Sequence, residues 1–143
     1  MTRKDYLLLL VAGDGSAPEI DPVRIMKGMF LFTKQFGHNL AQSYTFQPYN
    51  FGPCSFEIYD DLRALVQEGL LQENEVQGKT WNFFRVTAKG RARADEISAE
   101  LGLEEAGRIL DIRRLVSSMS FINLLRYVYQ LYPEYAAASV VKT

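Results

Sequence analysis

Cysteine and histidine are almost missing from this chain: Cys54 and His38 are the only ones among 143 residues. A lone cysteine excludes an internal disulfide and fits a reducing compartment, so a cytoplasmic location is expected. One histidine and one cysteine exclude a multi-histidine metal centre and leave a four-ligand structural zinc site without its ligands. An excess of one charge is lacking too. Lys and Arg number 16 against 17 Asp and Glu, a net charge of −1. Proteins that coat duplex nucleic acid are strongly basic, so a histone-like mode is excluded, although a local basic patch is not. The longest purely apolar run, Leu7 to Ala12, falls far short of the roughly 20 residues a membrane span needs. There is no internal repeat, low-complexity tract or linker.

Aromatic residues, in contrast, are plentiful: nine Phe, eight Tyr and one Trp. With 48% hydrophobic and 23% charged residues, the chain has the composition of an ordinary globular domain and enough large side chains for a core. The N-terminus imitates a signal peptide, with Arg3 and Lys4 before the apolar Tyr6–Ala12 stretch and Gly15-Ser16-Ala17 after it. Asp5 and Asp14 flank the apolar stretch, however, and it is at the short limit for such a segment. A short buried helix over 3–12 is the expectation.

Gly13-Asp14-Gly15-Ser16 breaks that helix. Asp21-Pro22 has the form of a helix start, with a capping Asp and Pro in the first helical position, and predicts a second helix over about 22–36. Val23, Met26, Met29, Phe30, Thr33 and Phe36 would form its apolar face, with Arg24, Lys27 and Lys34 mostly elsewhere. Gly37 would end it. The alternation Tyr44, Phe46, then Tyr49, Phe51 suggests a short strand, kept at a sheet edge by Pro48. Phe51-Gly52-Pro53-Cys54-Ser55 is a sharp turn delivering a third helix over about 56–68, with Ser55 as cap, Glu57 complementing the dipole, and Phe56, Tyr59, Leu62, Leu65 and Val66 inward. Gly69 closes it. Strands over 70–76 and 80–86 around Gln77-Gly78-Lys79 read as a β-hairpin. Thr87 caps a fourth helix over about 88–101, ended by Gly102. A fifth over about 103–119 presents Leu103, Ala106, Ile109, Leu110, Leu115, Val116 and Met119, and a sixth, from Ser120 to about 131, presents Phe121, Leu124, Leu125, Val128 and Leu131 before Pro133 stops it.

Helix, helix, short strand, helix, hairpin is the order of a winged helix-turn-helix, with the hairpin as wing and the third helix in the recognition position. The fold expected is therefore mainly α with a small β-hairpin (α+β). Residues 1–102 form the winged-helix domain (about 20–95 its core), 103–135 a C-terminal helical extension suited to oligomerisation, and 136–143 a tail.

Phe51-Gly52-Pro53-Cys54-Ser55, then Tyr59-Asp60-Asp61-Leu62, then Glu68-Gly69-Leu70-Leu71, then Phe84-Arg85-Val86-Thr87-Ala88-Lys89-Gly90 resemble the pattern of the Panacea-type (SocA-like) antitoxin and regulator proteins: an aromatic-Gly-Pro turn, a helix, a Gly-Leu-apolar exit, and an aromatic-x-apolar-Thr-x-x-Gly corner. The closing run Leu124-Leu125-Arg126-Tyr127-Val128-Tyr129-Gln130-Leu131-Tyr132-Pro133-Glu134-Tyr135 is similar to the last helix of small bacterial relatives. The resemblance covers roughly residues 20–135 and implies a winged-helix fold and an antitoxin-like function. It assigns no binding residue, and Cys54 departs from the Tyr or Val that the pattern often has there.

Charge bears on the choice of partner. From Ser55 to Glu75 there are six acids, Glu57, Asp60, Asp61, Glu68, Glu73 and Glu75, against the single base Arg63. Such a segment repels phosphates, which duplex binders meet with Lys and Arg. Residues 76–93 are the reverse: Lys79, Arg85, Lys89, Arg91 and Arg93 with no acid. They form either a phosphate-binding strip or a solvated face pairing with Asp95, Glu96, Glu100 or the acidic patch. In the wing strand Phe84 and Val86 alternate with Trp81 and Phe83, so the latter two either face a partner or lie under the C-terminal helices.

Catalytic signals are weak. Gly13-x-Gly15 lacks the third glycine and the preceding strand of a dinucleotide loop. Cys54 has no evident activator, with or without His38. Asp60-Asp61 and Glu104-Glu105 are adjacent pairs that diverge on a helix. Tyr127, Tyr129, Tyr132 and Tyr135 read as core and interface. The expectation is a non-catalytic winged-helix protein, with no cofactor, no metal, no membrane and no evident small-molecule substrate. It would bind a protein partner or itself in the manner of an antitoxin or defence-associated adaptor, with Trp81 and Phe83 as anchors and Asp60, Asp61 and Arg63 at the rim. The alternative is a dimeric DNA-binding transcription regulator using Lys79, Arg85, Lys89, Arg91 and Arg93.

Overall fold

The computed structural model describes residues 1–36 and 44–141; Gly37 and His38 lie outside them. Among the described residues the chain is mainly helical, with six α-helices and a small antiparallel sheet. The first helix, α1 (Arg3–Ala12), is the axis of the molecule. Thr2 and Asp5 close a reciprocal capping box at its start, satisfying donors that the first turn leaves open. Every residue from Tyr6 to Ala12 is buried. A helix apolar on all sides belongs in a core, and the elements around it supply that environment.

Strand β1 (Glu19–Ile20) follows, then α2 (Pro22–Phe36). Asp21 caps α2, its carboxylate accepting from the Arg24 backbone N–H at 3.0 Å. Ile25 through Phe32 are all buried, including Lys27, which the sequence pattern sets off the apolar face. A two-stranded ribbon, β2 (Gln47–Tyr49) and β3 (Gly52–Cys54), turns through Asn50 and Phe51. Next come α3 (Phe56–Gln67), β4 (Leu71–Glu75), β5 (Asn82–Val86), α4 (Ala88–Leu101), α5 (Leu103–Ser118), α6 (Phe121–Leu131) and a 3₁₀ turn at Pro133–Ala136.

The sheet order is β1-β5-β4, with Ile20 opposite Phe84 and Leu71 opposite Val86. β1 has no counterpart in the sequence reading, because two residues are too few to show a period. β5 starts at Asn82 rather than Thr80, which leaves Trp81 in the turn. The corner from sheet to α4 is built by Thr87. Its hydroxyl donates to the Gly69 carbonyl at 2.6 Å and accepts from Gly90 N–H at 3.0 Å, and its backbone N–H reaches the Leu70 carbonyl. A Cβ at Gly90 would lie 1.9 Å from the Leu70 oxygen, so the close approach of α4 to the strand admits only glycine.

α5 packs on α1, α2 and α4, and one hydrophobic cluster runs from Tyr6 to Tyr129. The residues after 102 therefore complete the core in which the earlier ones sit. Phe30 gathers Phe46, Tyr132 and Tyr135 edge-on at 5.3, 5.0 and 4.7 Å between ring centroids, fastening the C-terminal turn onto α2. Val140 N–H donates to the Asn50 carbonyl at 3.0 Å, so the expected tail folds back over the ribbon.

Candidate functional site

The Phe-Gly-Pro-Cys corner builds the most distinctive surface of the molecule. Gly52 adopts φ +89°, a left-handed conformation that favours glycine. A Cβ there would also press on the Tyr129 ring at 3.1 Å and on Cε of Lys27 at 3.4 Å. The tight corner leaves a cavity of about 140 Å³ between the start of α2, the β2–β3 ribbon and the first turn of α3. Val23, Met26, Lys27 and Cys54 lie toward the inside, and Tyr49, Phe51, Phe56 and Tyr59 stand around it. Those four aromatics are 45%, 40%, 48% and 40% exposed. Phe56 meets Tyr49 edge-on at 5.4 Å and lies tilted against Tyr59 at 6.5 Å, and Phe51 packs edge-on against Phe121 at 5.6 Å.

This corrects the expected inward face of α3. Ile58, Leu62 and Leu65 are buried, whereas Phe56 and Tyr59 occupy a second stripe at a spacing of three and point outward. Exposed aromatic clusters of this kind mark binding surfaces. Ser55 sits at the helix start but its side chain makes no capping bond to the first turn, contrary to expectation; its hydroxyl turns to Glu57 at 3.4 Å.

Lys27 forms the floor. It is 2% exposed, and its Nζ has one long acceptor, the Pro53 carbonyl at 3.4 Å. Burial pulls its pKa down to about 8, with Cys54 and Asp21 acting weakly against the shift. The Asp21 carboxylate is engaged by Arg24 at 2.6 Å, and burial pushes the Cys54 thiol up, keeping it neutral. The ammonium therefore has no anionic partner among the described residues. The sequence does carry a signal for it: Lys27 interrupts an otherwise uncharged run from Ile25 to Phe32, a pattern for a helix buried on every side.

The residues singled out by charge fall elsewhere. Asp61 accepts from Tyr44 OH at 2.6 Å and from Arg3 at 3.1 Å. Glu57 pairs with Arg3 at 2.7 Å, and Glu68 with Lys4 at 2.7 Å. The Thr45 N–H and Arg3 together hold the Glu57 carboxyl below its usual range. Much of the acidic segment is thus neutralised by the start of α1, which the sequence alone does not bring near it. Asp60 and Arg63 form an exposed pair at 3.2 Å.

The basic segment is divided in the same way. Arg91 donates to the Gly13 and Ala12 carbonyls at 2.8 and 2.6 Å, closing the C-terminal end of α1. Arg93 pairs with Asp5 and Glu96 at 3.3 and 3.2 Å, and Lys89 reaches the Glu68 carbonyl at 2.9 Å. Lys79 lies over the exposed Trp81 ring at 5.3 Å, and Arg85 is exposed on β5. Three of the five cations expected to face phosphates are thus engaged within the fold. Phe83 is half-buried and Phe84 buried.

Cys54 is a free, buried thiol; its pairing with His38 falls outside the described residues. No group of three His, Cys, Asp or Glu side chains suited to a metal occurs among the described residues, and no helix there is long and apolar enough to cross a membrane. No protein-family model matches the chain, and no curated protein matches it significantly.

Proposed function

We propose that this chain is a non-catalytic winged-helix protein of the antitoxin type, acting in the cytoplasm by covering a protein partner. The order α2, α3, β4–β5 with β1 closing the sheet on the far side of β5 supports the winged-helix reading. The resemblance to Panacea-type proteins supports the direction of function. The observation that carries the proposal is the exposed aromatic surface of Tyr49, Phe51, Phe56 and Tyr59, next to the charged pair Asp60–Arg63. An apolar, aromatic centre with a charged rim is the anatomy of a protein interface. Trp81, exposed at the tip of the hairpin, is a second anchor.

The dimeric DNA-binding alternative depends on a basic strip, and Lys89, Arg91 and Arg93 are tied to the fold. Two measurements separate the readings. The tagged chain should capture the same protein repeatedly from its native cell, and the Phe56→Ala/Tyr59→Ala double variant should lose it. Titration with duplex DNA should show no tight binding even at low salt. Micromolar duplex binding with a steep negative salt slope, unaffected by the double variant, refutes the proposal.

A further inference from the structure

We propose that the corner cavity is a binding site for a carboxylate carried on a single aromatic ring or an apolar group of that size, with Lys27 as the anion's partner. The site arises where α2 passes under the Gly52-Pro53-Cys54 corner.

Size sets the first limit. A void near 150 Å³ lined by apolar side chains is large enough for benzene, and this one measures about 140 Å³. Val23, Met26, Phe51 and Phe56 are apolar parts of its lining, which also includes Asn50, and they favour a flat apolar body. Polarity sets the second. An ammonium has three donors, and Lys27 uses one, at 3.4 Å, on a backbone carbonyl. Burying a cation without a partner anion is costly, and the two nearby groups that might supply one do not: Asp21 is bound by Arg24 and Cys54 stays a thiol. A ligand carboxylate would satisfy the remaining donors.

Protonation state separates anion binding from amine chemistry. With a pKa of about 8, Lys27 is charged about ten to one at pH 7, so it acts as a donor rather than a nucleophile. The first turn of α3 adds to the attraction. Ser55 makes no side-chain capping bond there, and the positive end of a helix favours an anion. The Glu57 carboxylate in that turn is held by the Thr45 N–H, Arg3 and the Ser55 hydroxyl.

This inference is separate from the partner-binding reading. A free acid can fill the cavity when no protein partner exists, and a partner can cover the rim with the cavity empty. Loss of partner capture leaves it standing, and failure of the titrations below leaves the partner reading standing.

The test is calorimetric titration of the full chain at pH 7 with phenylacetate, with benzyl alcohol as the uncharged analogue, and with a short peptide ending in phenylalanine as its free acid and as its amide. The expected result is saturable one-to-one binding of at least one acid, weaker by about ten- to a hundredfold for the uncharged analogue or amide, the scale of one hydrogen bond to a charged group. Lys27→Met should show the same loss, and Lys27→Gln keeps the test valid if the Met variant repacks. Circular dichroism and melting temperature verify that both are folded. Binding of phenylacetate alone identifies a free small acid as the source, and binding of the peptide acid alone identifies a chain terminus. Absence of binding by both acids at 10 mM, or equal affinity in folded Lys27→Met, overturns the proposal.

Discussion

Lys27 and Arg113 are both buried cations, 2% and 4% exposed, yet they are held in opposite ways. Arg113 donates to the Ala17 carbonyl at 2.6 Å and to the Ser117 hydroxyl, and its stem fills the space that the missing side chain of Gly13 leaves at 3.1 Å. It fastens the loop between α1 and β1 to α5, with only its Nε unpartnered. Lys27 fastens little: one carbonyl at 3.4 Å, beside a cavity. Both have their pKa lowered by burial, but Arg113 has hydrogen bonds to offset that cost and Lys27 has almost none. A buried charge that contributes to architecture is surrounded by acceptors; one that does not is a candidate for function.

The sharpest test of this contrast is substitution by methionine at each position. Arg113→Met should destabilise the fold by about 2–4 kcal/mol, because the Ala17 carbonyl and the Ser117 hydroxyl lose their donor; urea unfolding measures it. Lys27→Met should instead stabilise the fold by about 1–3 kcal/mol at pH 7, since an unpaired buried charge is replaced by an apolar side chain of similar length. Equal destabilisation by both would erase the distinction.

Next in size is a pH effect. The folded Lys27 pKa of about 8 lies below the ordinary 10.5, so between these values the unfolded chain holds the proton that the folded chain has released. Stability contributed by this group is therefore at its lowest below pH 8 and rises toward pH 10, by about 2 kcal/mol over that span. Cys54 and Tyr6 act in the opposite sense, because their folded pKa values are raised, Tyr6 to about 12. Asp21 also faces Lys27, and Tyr49 and Tyr59 line the same cavity. The quantity to follow is thus the difference between the native chain and Lys27→Met, whose stability advantage should shrink from pH 8 to pH 10. A constant difference would mean that Lys27 is not desolvated.

Smaller effects extend the comparison to a half-buried and an exposed cation. Arg91→Ala should cost about 1–2 kcal/mol through two lost carbonyl contacts at the end of α1. Arg63→Ala should cost under about 0.5 kcal/mol, as its pair with Asp60 is at the surface. An Arg63 effect as large as that of Arg91 would show that exposure is a poor guide here.

Local chemistry made most helices legible in the sequence. Thr87, Ser120 and Asp21 cap helices because their side-chain oxygens meet the first-turn N–H groups, a relation spanning only three residues. α1 was readable as a buried helix because its apolar run has no polar side. The hairpin was legible in outline, and its turn proved wider because Trp81 lies outside the ladder. The binding surface was harder to read. Trp81 is exposed, as expected of an anchor, but Phe56 and Tyr59 are not inward as the periodicity of α3 predicts, since they fit that periodicity as well as Leu62 and Leu65 do. Periodicity identifies two adjacent stripes and not which of them meets the core. Leu103, expected inward, is 97% exposed for the same reason.

The sequence by itself determined most helix starts and the sharp turn at Phe51-Gly52-Pro53, which depend on neighbours along the chain, and its single cysteine excludes an internal disulfide. Only the tertiary structure decided which charges remain available. Arg3 and Lys4 meet acids more than fifty residues away, Arg91 turns to α1, and Lys27 is left beside a cavity without an anion. Charge pairing is short in space and blind to chain order, so counting charges along a segment measures what the segment carries, while packing determines what it presents.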